Sequence, residues 1–383
     1  MRKAAFLNWF VYRASRLTRQ RARSPRWRVG IYKVDRLGDF VLALGAIRAI
    51  ADIAGEENCL LFHGSAAAEI AQLEFPRLAK VEVPCLDGKL WVTRRNLEAV
   101  MSREIVAAGV DQLICLRHFR ALFDEIALQM IPATEVWTVR NSPLYKLDYE
   151  LVRRRYEGDV VIERPANEDN DSLCEDIRCH QSLLQHWAGY FFAGRDIRPR
   201  LQRPPVERRP VLTLAPFGSD RLRDLPPESV AACSVHFREA GGLELELLSP
   251  PGAIDRYEGY ARRLMEHGAK ASIRVTKTSE DLIEAIHSSA ALLTTETATA
   301  HIAVALDHPL VCPLGGGHFG YFAPWRRSDR QVWVTHNLPC FNCNWSCPHS
   351  EPYCITRIGA EQLTKALRHV LETHPAVPLR ANA

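Results

Sequence analysis

The chain has 383 residues, 47% of them apolar and 25% charged, with a formal net charge of +4. That length carries two domains with separate cores, and the composition is that of a globular chain. No stretch is suited to span a bilayer, because Arg48 and Asp52 interrupt the best apolar candidate at 40–53, and the N-terminus lacks the apolar core and small-residue cleavage site of a secretory signal.

The first 28 residues contain nine Arg or Lys and no acid, interleaved with Phe6, Leu7, Trp9, Phe10, Val11 and Leu17 at roughly helical spacing. This pattern fits an amphipathic helix on an anionic membrane surface, or a solvated basic tail. Val29 to Val34 reads as a strand, Asp35 to Asp39 as a turn, and Phe40 to Ala51 as an apolar helix. Further strands are expected at Cys59–His63, Val81–Val83 and Gln112–Leu116, with helices at Arg94–Ala107 and Phe119–Met130. Such alternation predicts a mostly parallel, doubly wound sheet.

Arg195 to Pro210 is dense in Pro and Arg and reads as an interdomain linker, since proline neither continues a helix nor sits in a central strand. The alternation then restarts. Strands are expected at Val211–Ala215, Glu244–Leu248 and Ser272–Val275, and helices at Pro227–Ala240, Ala253–Glu266 and Ser279–Ser288. The resulting divisions are a tail at 1–28, a first domain at 29–194, a linker at 195–210 and a second domain at 211–383.

The run from Leu292 to Gly317 reads as a buried strand, a Thr-rich turn, a short helix, a second strand and a glycine turn. A helix starting there aims free backbone N–H groups at one spot, which suits a phosphate or diphosphate. Glu296 would repel a phosphate and is better placed to accept hydrogen bonds from sugar hydroxyls, so a sugar nucleotide meets both demands. An ordinary βαβ unit capped by threonine is the alternative.

Four segments in series, RLGDFVLALGAIRAI, APFGSDRLRDLPPE, KTSEDLIEAIHSSAALLTTETATAHIAVAL and PLVCPLGGG, resemble glycosyltransferase family 9, the ADP-heptose:lipopolysaccharide heptosyltransferases. The resemblance implies an α/β GT-B fold: two Rossmann-like, doubly wound domains facing across a cleft, with acceptor on the first and nucleotide sugar on the second. The implied reaction is a single inverting displacement that needs no metal. Asp39 falls at the family's catalytic aspartate, the base that takes the acceptor hydroxyl proton. A helix cap is the alternative role for Asp39, and Asp35 is a nearby alternative base.

The resemblance also implies donor-binding roles for Ser219, for Arg223 or Arg221 in the register of a phosphate-binding lysine, and for Glu296, Thr297, Ala298 and His301. Leu225 stands where the family has tryptophan, and Glu296-Thr297-Ala298 where it has Asp-Thr-Gly. These departures favour the alternative of a catalytically inactive relative that binds or scaffolds glycans. Arg117 and Arg120 suit a phosphorylated lipopolysaccharide core. Basic stretches without an RNA-binding motif give no case for a nucleic-acid partner.

Seven of the eleven cysteines are scattered in apolar surroundings, as expected of buried thiols in a reducing compartment. The other four, Cys340, Cys343, Cys347 and Cys354, form a C-x2-C-x3-C-x6-C cluster that could hold a structural zinc or iron, with His336 and His349 as substitute ligands. Free or disulfide-paired cysteines are the alternative. Similar clusters occur in part of the resembled family. The expectation is therefore a cytoplasmic enzyme, peripheral to the inner membrane, that moves a heptose or related sugar from a nucleotide diphosphate, ADP-heptose by resemblance, to a lipopolysaccharide core or other glycan, with a protein acceptor as the alternative within the same chemistry.

Overall fold

The computed structural model describes residues 25–83, 109–117, 120, 122–139, 158–162, 195–320, 322–323 and 328–374. The basic N-terminal helix expected before residue 25, the helix expected at Arg94–Ala107, and Cys85, Cys174 and Cys179 lie outside these residues. The chain forms two compact units, which among the described residues part between Arg198 and Pro199. Residues 195–209 adopt no regular secondary structure.

The first unit is built on a six-stranded parallel sheet: β1 (Trp27–Lys33), β2 (Cys59–Gly64), β3 (Ala79–Val83), β4 (Val110–Cys115), β5 (Ala133–Val139) and β6 (Val160–Ile162). Their order across the sheet is β3-β2-β1-β4-β5-β6. The apolar run after β1 is broken into α1 (Leu37–Leu42) and α2 (Leu44–Ala54), with Ala43 between them. The remaining α-helices among the described residues are α3 (Ala68–Glu74) and α4 (Leu122–Met130). Tyr32, Phe62, Leu113, Phe123, Ile126 and Val136 lead its core, each from a strand or from α4.

The second unit repeats the plan. Its strands are β7 (Val211–Ala215), β8 (Glu244–Ser249), β9 (Ala271–Val275), β10 (Ala291–Thr294), β11 (Leu310–Pro313) and β12 (Gln331–Val334), all parallel, in the order β9-β8-β7-β10-β11-β12. Helices α5 (Pro227–Gly241), α6 (Ile254–Glu266), α7 (Ser279–His287), α8 (Ala298–Ala305), α9 (Tyr353–Thr356) and α10 (Ala360–Thr373) complete it. The last of these packs along α5 and the β10–β12 edge, closing a core that includes Leu214, Phe237, Leu247, Leu293 and Leu367.

Both sheets therefore run 3-2-1-4-5-6 in their own strand numbering, the doubly wound Rossmann order. In such sheets the chain leaves the first and fourth strands in opposite directions, which opens a crevice at their carboxyl ends where ligands bind. These switch points lie at β1/β4 in the first unit and at β7/β10 in the second. The register sets Tyr32 beside Cys115 and Ala215 beside Thr294 at those ends.

Candidate active site

In the first unit the expected catalytic aspartate follows β1. The helix begins at Leu37 rather than Phe40, so Asp39 lies within its first turn and is not its cap; the cap position is Arg36, with no side-chain capping bond. Asp39 is half-buried. Burial, and then the negative charge of Asp35, push its carboxyl up to about 6, against the opposing pull of Lys33, Arg117 and Arg36.

Asp35 has a different part. It is bound by Lys33 Nζ at 2.9 Å and by the Arg117 guanidinium. Lys33, fully buried on the central strand, also donates to Leu116 O at 3.1 Å. Arg117 donates to Val34 O at 2.8 Å and pairs with Asp124 at 3.1 Å, while Tyr32 donates to the same Asp124 at 3.0 Å. This network ties β1, β4 and α4 together beneath Asp39. It holds Asp35 as a charged, satisfied group and leaves Asp39 the carboxylate of raised proton affinity. The one sequence signal for Lys33 is a lysine inside an apolar strand, which the motif pattern does not single out.

The expectation that Arg117 and Arg120 together address a phosphorylated acceptor is corrected for Arg120. Its side chain is 1% exposed and its guanidinium donates to Val139 O, so it braces β5 from within.

In the second unit the residues expected at the donor come together at the β7/β10 switch point. The turn after β7 runs Phe217-Gly218-Ser219 into a single 3-10 turn at Arg221–Arg223. Asp224 accepts the Gly218 N–H at 3.2 Å and is paired with Arg256 at 2.5 Å, whose guanidinium lies 3.8 Å from the Phe217 ring centre. Nothing in the sequence pattern singled out Asp224 as the residue that shapes this turn. The Arg223 side chain folds back over Gly218, where a Cβ would lie 2.7 Å from that of Arg223, so the glycine makes the approach possible.

Of the two candidate arginines, Arg221 is exposed and Arg223 reaches the second motif. Arg223 Nη1 donates to Glu296 O at 2.8 Å, and Nη2 donates to Ser219 Oγ. It thereby bridges the turn after β7 and the turn after β10. Leu225, in the place of the family's tryptophan, is 3% exposed within the core, so that departure concerns packing and not the crevice.

The Thr-rich turn is organised differently from the expected threonine cap. Thr297 occupies the cap position of α8 but makes no side-chain capping bond. Its hydroxyl meets that of Thr299 at 2.7 Å, and Thr299 meets Thr294, which donates to Ala215 O at 2.8 Å. The hydroxyl chain pins the turn to β7, and no side chain at the cap position accepts from the first-turn N–H groups of α8.

Glu296 is 2% exposed, and Ala298 opens the helix. His301 is buried one turn in, and burial, then the Arg223 charge, hold its imidazole down to about 3; it is neutral at any working pH. Among the described residues His301 Nδ1, Thr295 Oγ1 and Arg223 Nε have no hydrogen-bond partner. Three buried polar atoms without partners at one switch point each carry a desolvation cost, and a polar ligand would relieve it.

The glycine turn after β11 is covered by aromatic rings of the cysteine-bearing segment. A Cβ on Gly316 would collide with Phe341, one on Gly317 with Trp345, and one on Gly315 would lie 2.6 Å from Trp345. Asn342 N–H donates to Gly316 O at 2.7 Å and Asn344 N–H to Gly317 O at 3.0 Å.

The four clustered cysteines are free thiols, with Cys354 buried. Burial and the neighbouring thiol charges of the other three raise Cys354, and burial likewise raises Cys343. Cys340 Sγ lies 3.7 Å from His349 Nε2. Among the described residues, no three His, Cys, Asp or Glu side chains are grouped closely enough to hold a metal ion as they stand.

No protein-family model matches the chain, and no curated protein matches it. Solved structures do. A glycosyl transferase family 9 protein from Veillonella parvula superposes with a TM-score of 0.66 at 12% identity, covering 92% of this chain and 100% of that one. The E. coli ADP-heptose lipopolysaccharide heptosyltransferase II gives 0.59 at 12% identity over 90% of this chain and 99% of its own. E. coli heptosyltransferase WaaC, solved with ADP-2-deoxy-2-fluoro heptose, gives 0.58 at 13% identity over 89% and 99%. The chain thus has the fold of the family 9 glycosyltransferases and lipopolysaccharide heptosyltransferases that its sequence motifs resemble.

Proposed function

We propose that the protein is an inverting glycosyltransferase of GT-B architecture, its two Rossmann-like domains facing across a cleft. It moves a heptose or related sugar from a nucleotide diphosphate, with ADP-heptose as the favoured donor, to a lipopolysaccharide core or related glycan. The observation that carries this reading is Arg223 spanning the β7/β10 switch point to the start of α8, beside the unpartnered His301 Nδ1 and Thr295 Oγ1. An arginine fork, open helix N–H groups and a neutral imidazole together make a diphosphate site. Glu296 is the acid available to sugar or ribose hydroxyls.

In the proposed reaction the Asp39 carboxylate accepts the proton of an acceptor hydroxyl. The hydroxyl oxygen bonds to the anomeric carbon as the bond from that carbon to the diphosphate oxygen breaks. Arg223, the α8 N–H groups and His301 hold the charge gained by the departing diphosphate. The first domain, 29–194, binds the acceptor, and the second, 211–383, the donor.

Cys340, Cys343, Cys347 and Cys354 hold a structural zinc or iron in this reading. What supports it is four soft donors within residues 340–354, which would have to draw together around the ion. Elemental analysis of the purified chain tests it. In this reading the basic tail at 1–28 binds the cytoplasmic face of an anionic membrane, which the composition of the tail supports and cosedimentation with anionic vesicles checks. Among the described residues no helix is long and apolar enough to cross a membrane.

Isothermal titration with ADP-heptose, ADP, UDP and GDP against wild type and Arg223→Ala tests the whole reading. Preferential ADP binding, weakened about tenfold or more in the variant, is expected from loss of a charged bidentate contact. Preference for another base discards heptose as donor. Binding without turnover on core acceptors points instead to the non-catalytic relative.

A further inference from the structure

Arg223 is held on a third side by a residue from far along the chain. The Trp345 ring lies with its centre 5.3 Å from the Arg223 guanidinium carbon, within range of a cation–π contact. The same indole lies against Gly317 and Gly315, whose missing side chains leave room for it. Its Nε1–H donates to His318 Nδ1 at 3.3 Å, and His318 Nε2 meets Asn344 Oδ1 at 2.6 Å. Nδ1 must therefore accept and Nε2 donate, which fixes the tautomer and locks the ring edge.

The backbone at Trp345 is in the left-handed region, at a φ of 58°, and follows Asn344 at 51° and Asn342 at 66°. Asparagine tolerates that region, whereas a bulky aromatic residue there is strained and persists only where its surroundings enforce it. Here the enforcing contacts are the Gly317 and Gly315 backbone, His318 and the Arg223 guanidinium. An unpaired arginine side chain samples many rotamers. With Glu296 O, Ser219 Oγ and the indole face each taken up, Arg223 is confined to one.

We propose that Trp345 is a positioning residue for the donor diphosphate: its indole fixes the Arg223 guanidinium at the start of α8, so the cysteine-bearing segment sets the affinity of the nucleotide site. This rests on the reading of the β7/β10 switch point as the donor site. The segment between Cys343 and Cys347 is then part of the wall of that site as well as a staple for the chain leading into α10.

The experiment is titration of the full chain with ADP and with inorganic pyrophosphate, for wild type, Trp345→Leu, Trp345→Phe, Arg223→Gln and the Trp345→Leu/Arg223→Gln pair. Leucine fills most of the volume without an aromatic face, and phenylalanine keeps the face. Trp345→Leu is expected to weaken ADP and pyrophosphate by a common factor of about five to ten, and Trp345→Phe by less than about threefold. In the Arg223→Gln background, Trp345→Leu should add less than about twofold, because its effect passes through the arginine.

Wild-type affinity in Trp345→Leu, or an undiminished loss in the Arg223→Gln background, overturns the inference while leaving the donor reading intact. A wild type that binds neither ADP, nor another nucleoside diphosphate, nor pyrophosphate overturns both. Should Trp345→Leu lack the wild-type circular dichroism spectrum, His318→Ala, which frees the indole edge without hollowing the segment, takes its place. A loss of about threefold supports the inference, and no loss overturns it.

Discussion

Two carboxylates near the carboxyl end of β1 are driven apart by their partners. Asp35 is gripped by Lys33 and Arg117, whereas Asp39, half-buried and near the charge of Asp35, has its carboxyl pushed up to about 6. A base with that proton affinity is ionised in most molecules at neutral pH and still accepts a proton readily. In the proposed reaction, kcat/KM should rise with pH through an inflection near 6 and then level. Binding of ADP-heptose, whose diester diphosphate does not titrate there, should show no histidine inflection between pH 5 and 8, since His301 stays neutral.

The same shift has a stability consequence. A carboxyl with a raised folded-state value favours the folded state when protonated. Its contribution is complete below about pH 4 and is lost as pH rises through about 6. Asp39→Asn, which mimics the protonated form, should therefore abolish transfer while stabilising the protein at pH 7.5 by order 1 kcal/mol, the gain vanishing near pH 4. Paired thermal melts at the two pH values, beside a turnover assay, test this. A variant less stable than wild type at pH 7.5 would count against the assignment of Asp39 as a group strained for function.

At the level of elements, the glycine turn after β11 shows how two distant segments lock. Phe341 and Trp345 occupy the space that side chains on Gly316 and Gly317 would need, and the Asn342 and Asn344 N–H groups close on the same turn. Gly317→Ala would drive a methyl into the indole, which has nowhere to go without breaking its bond to His318. The expected cost is about 1–3 kcal/mol, as for overpacking elsewhere. Because the indole moves away from Arg223, ADP affinity should fall with it. Denaturant unfolding and ADP titration of the same variant should report both effects, and a change in neither would show the turn to be adaptable.

These contacts mark the boundary of what the sequence made legible. Apolar β-branched and leucine runs announced β1, β2, β7 and β10, and the motif order put Asp39, Arg223, Glu296 and His301 in the segments that follow β1, β7 and β10. The strands β5, β6 and β12 escaped: β6 and β12 are short edge strands that owe their conformation to pairing with a neighbour more than to their own composition, and β5 is the longer strand beside the β6 edge. The helix broken at Ala43, the internal burial of Arg120 and the reach of Trp345 to Arg223 escaped for a related reason. Each is fixed by tertiary contacts that leave no period in the local sequence.

At the scale of the whole molecule, the same strand order occurs twice, and each sheet has its own core: one drawn from Tyr32 through Val136, the other from Leu212 through Leu371. Among the described residues each of these two cores draws on its own unit, so each meets the condition for folding alone. The residues proposed for the donor and the cysteine cluster all lie in the second unit, while Asp39 lies in the first. A polypeptide of residues 199–383 should then fold cooperatively and bind ADP within about threefold of the full chain, a difference below 1 kcal/mol. It should carry the same metal content per cysteine cluster. It should transfer no sugar, lacking the proposed base, and should not sediment with anionic vesicles, lacking the basic tail. Thermal melting, ADP titration, elemental analysis and a vesicle assay on that one polypeptide separate these outcomes. Loss of ADP binding in a fragment that still melts cooperatively would mean that the first unit completes the nucleotide site, and the division of donor and acceptor between the two sheets would have to be redrawn.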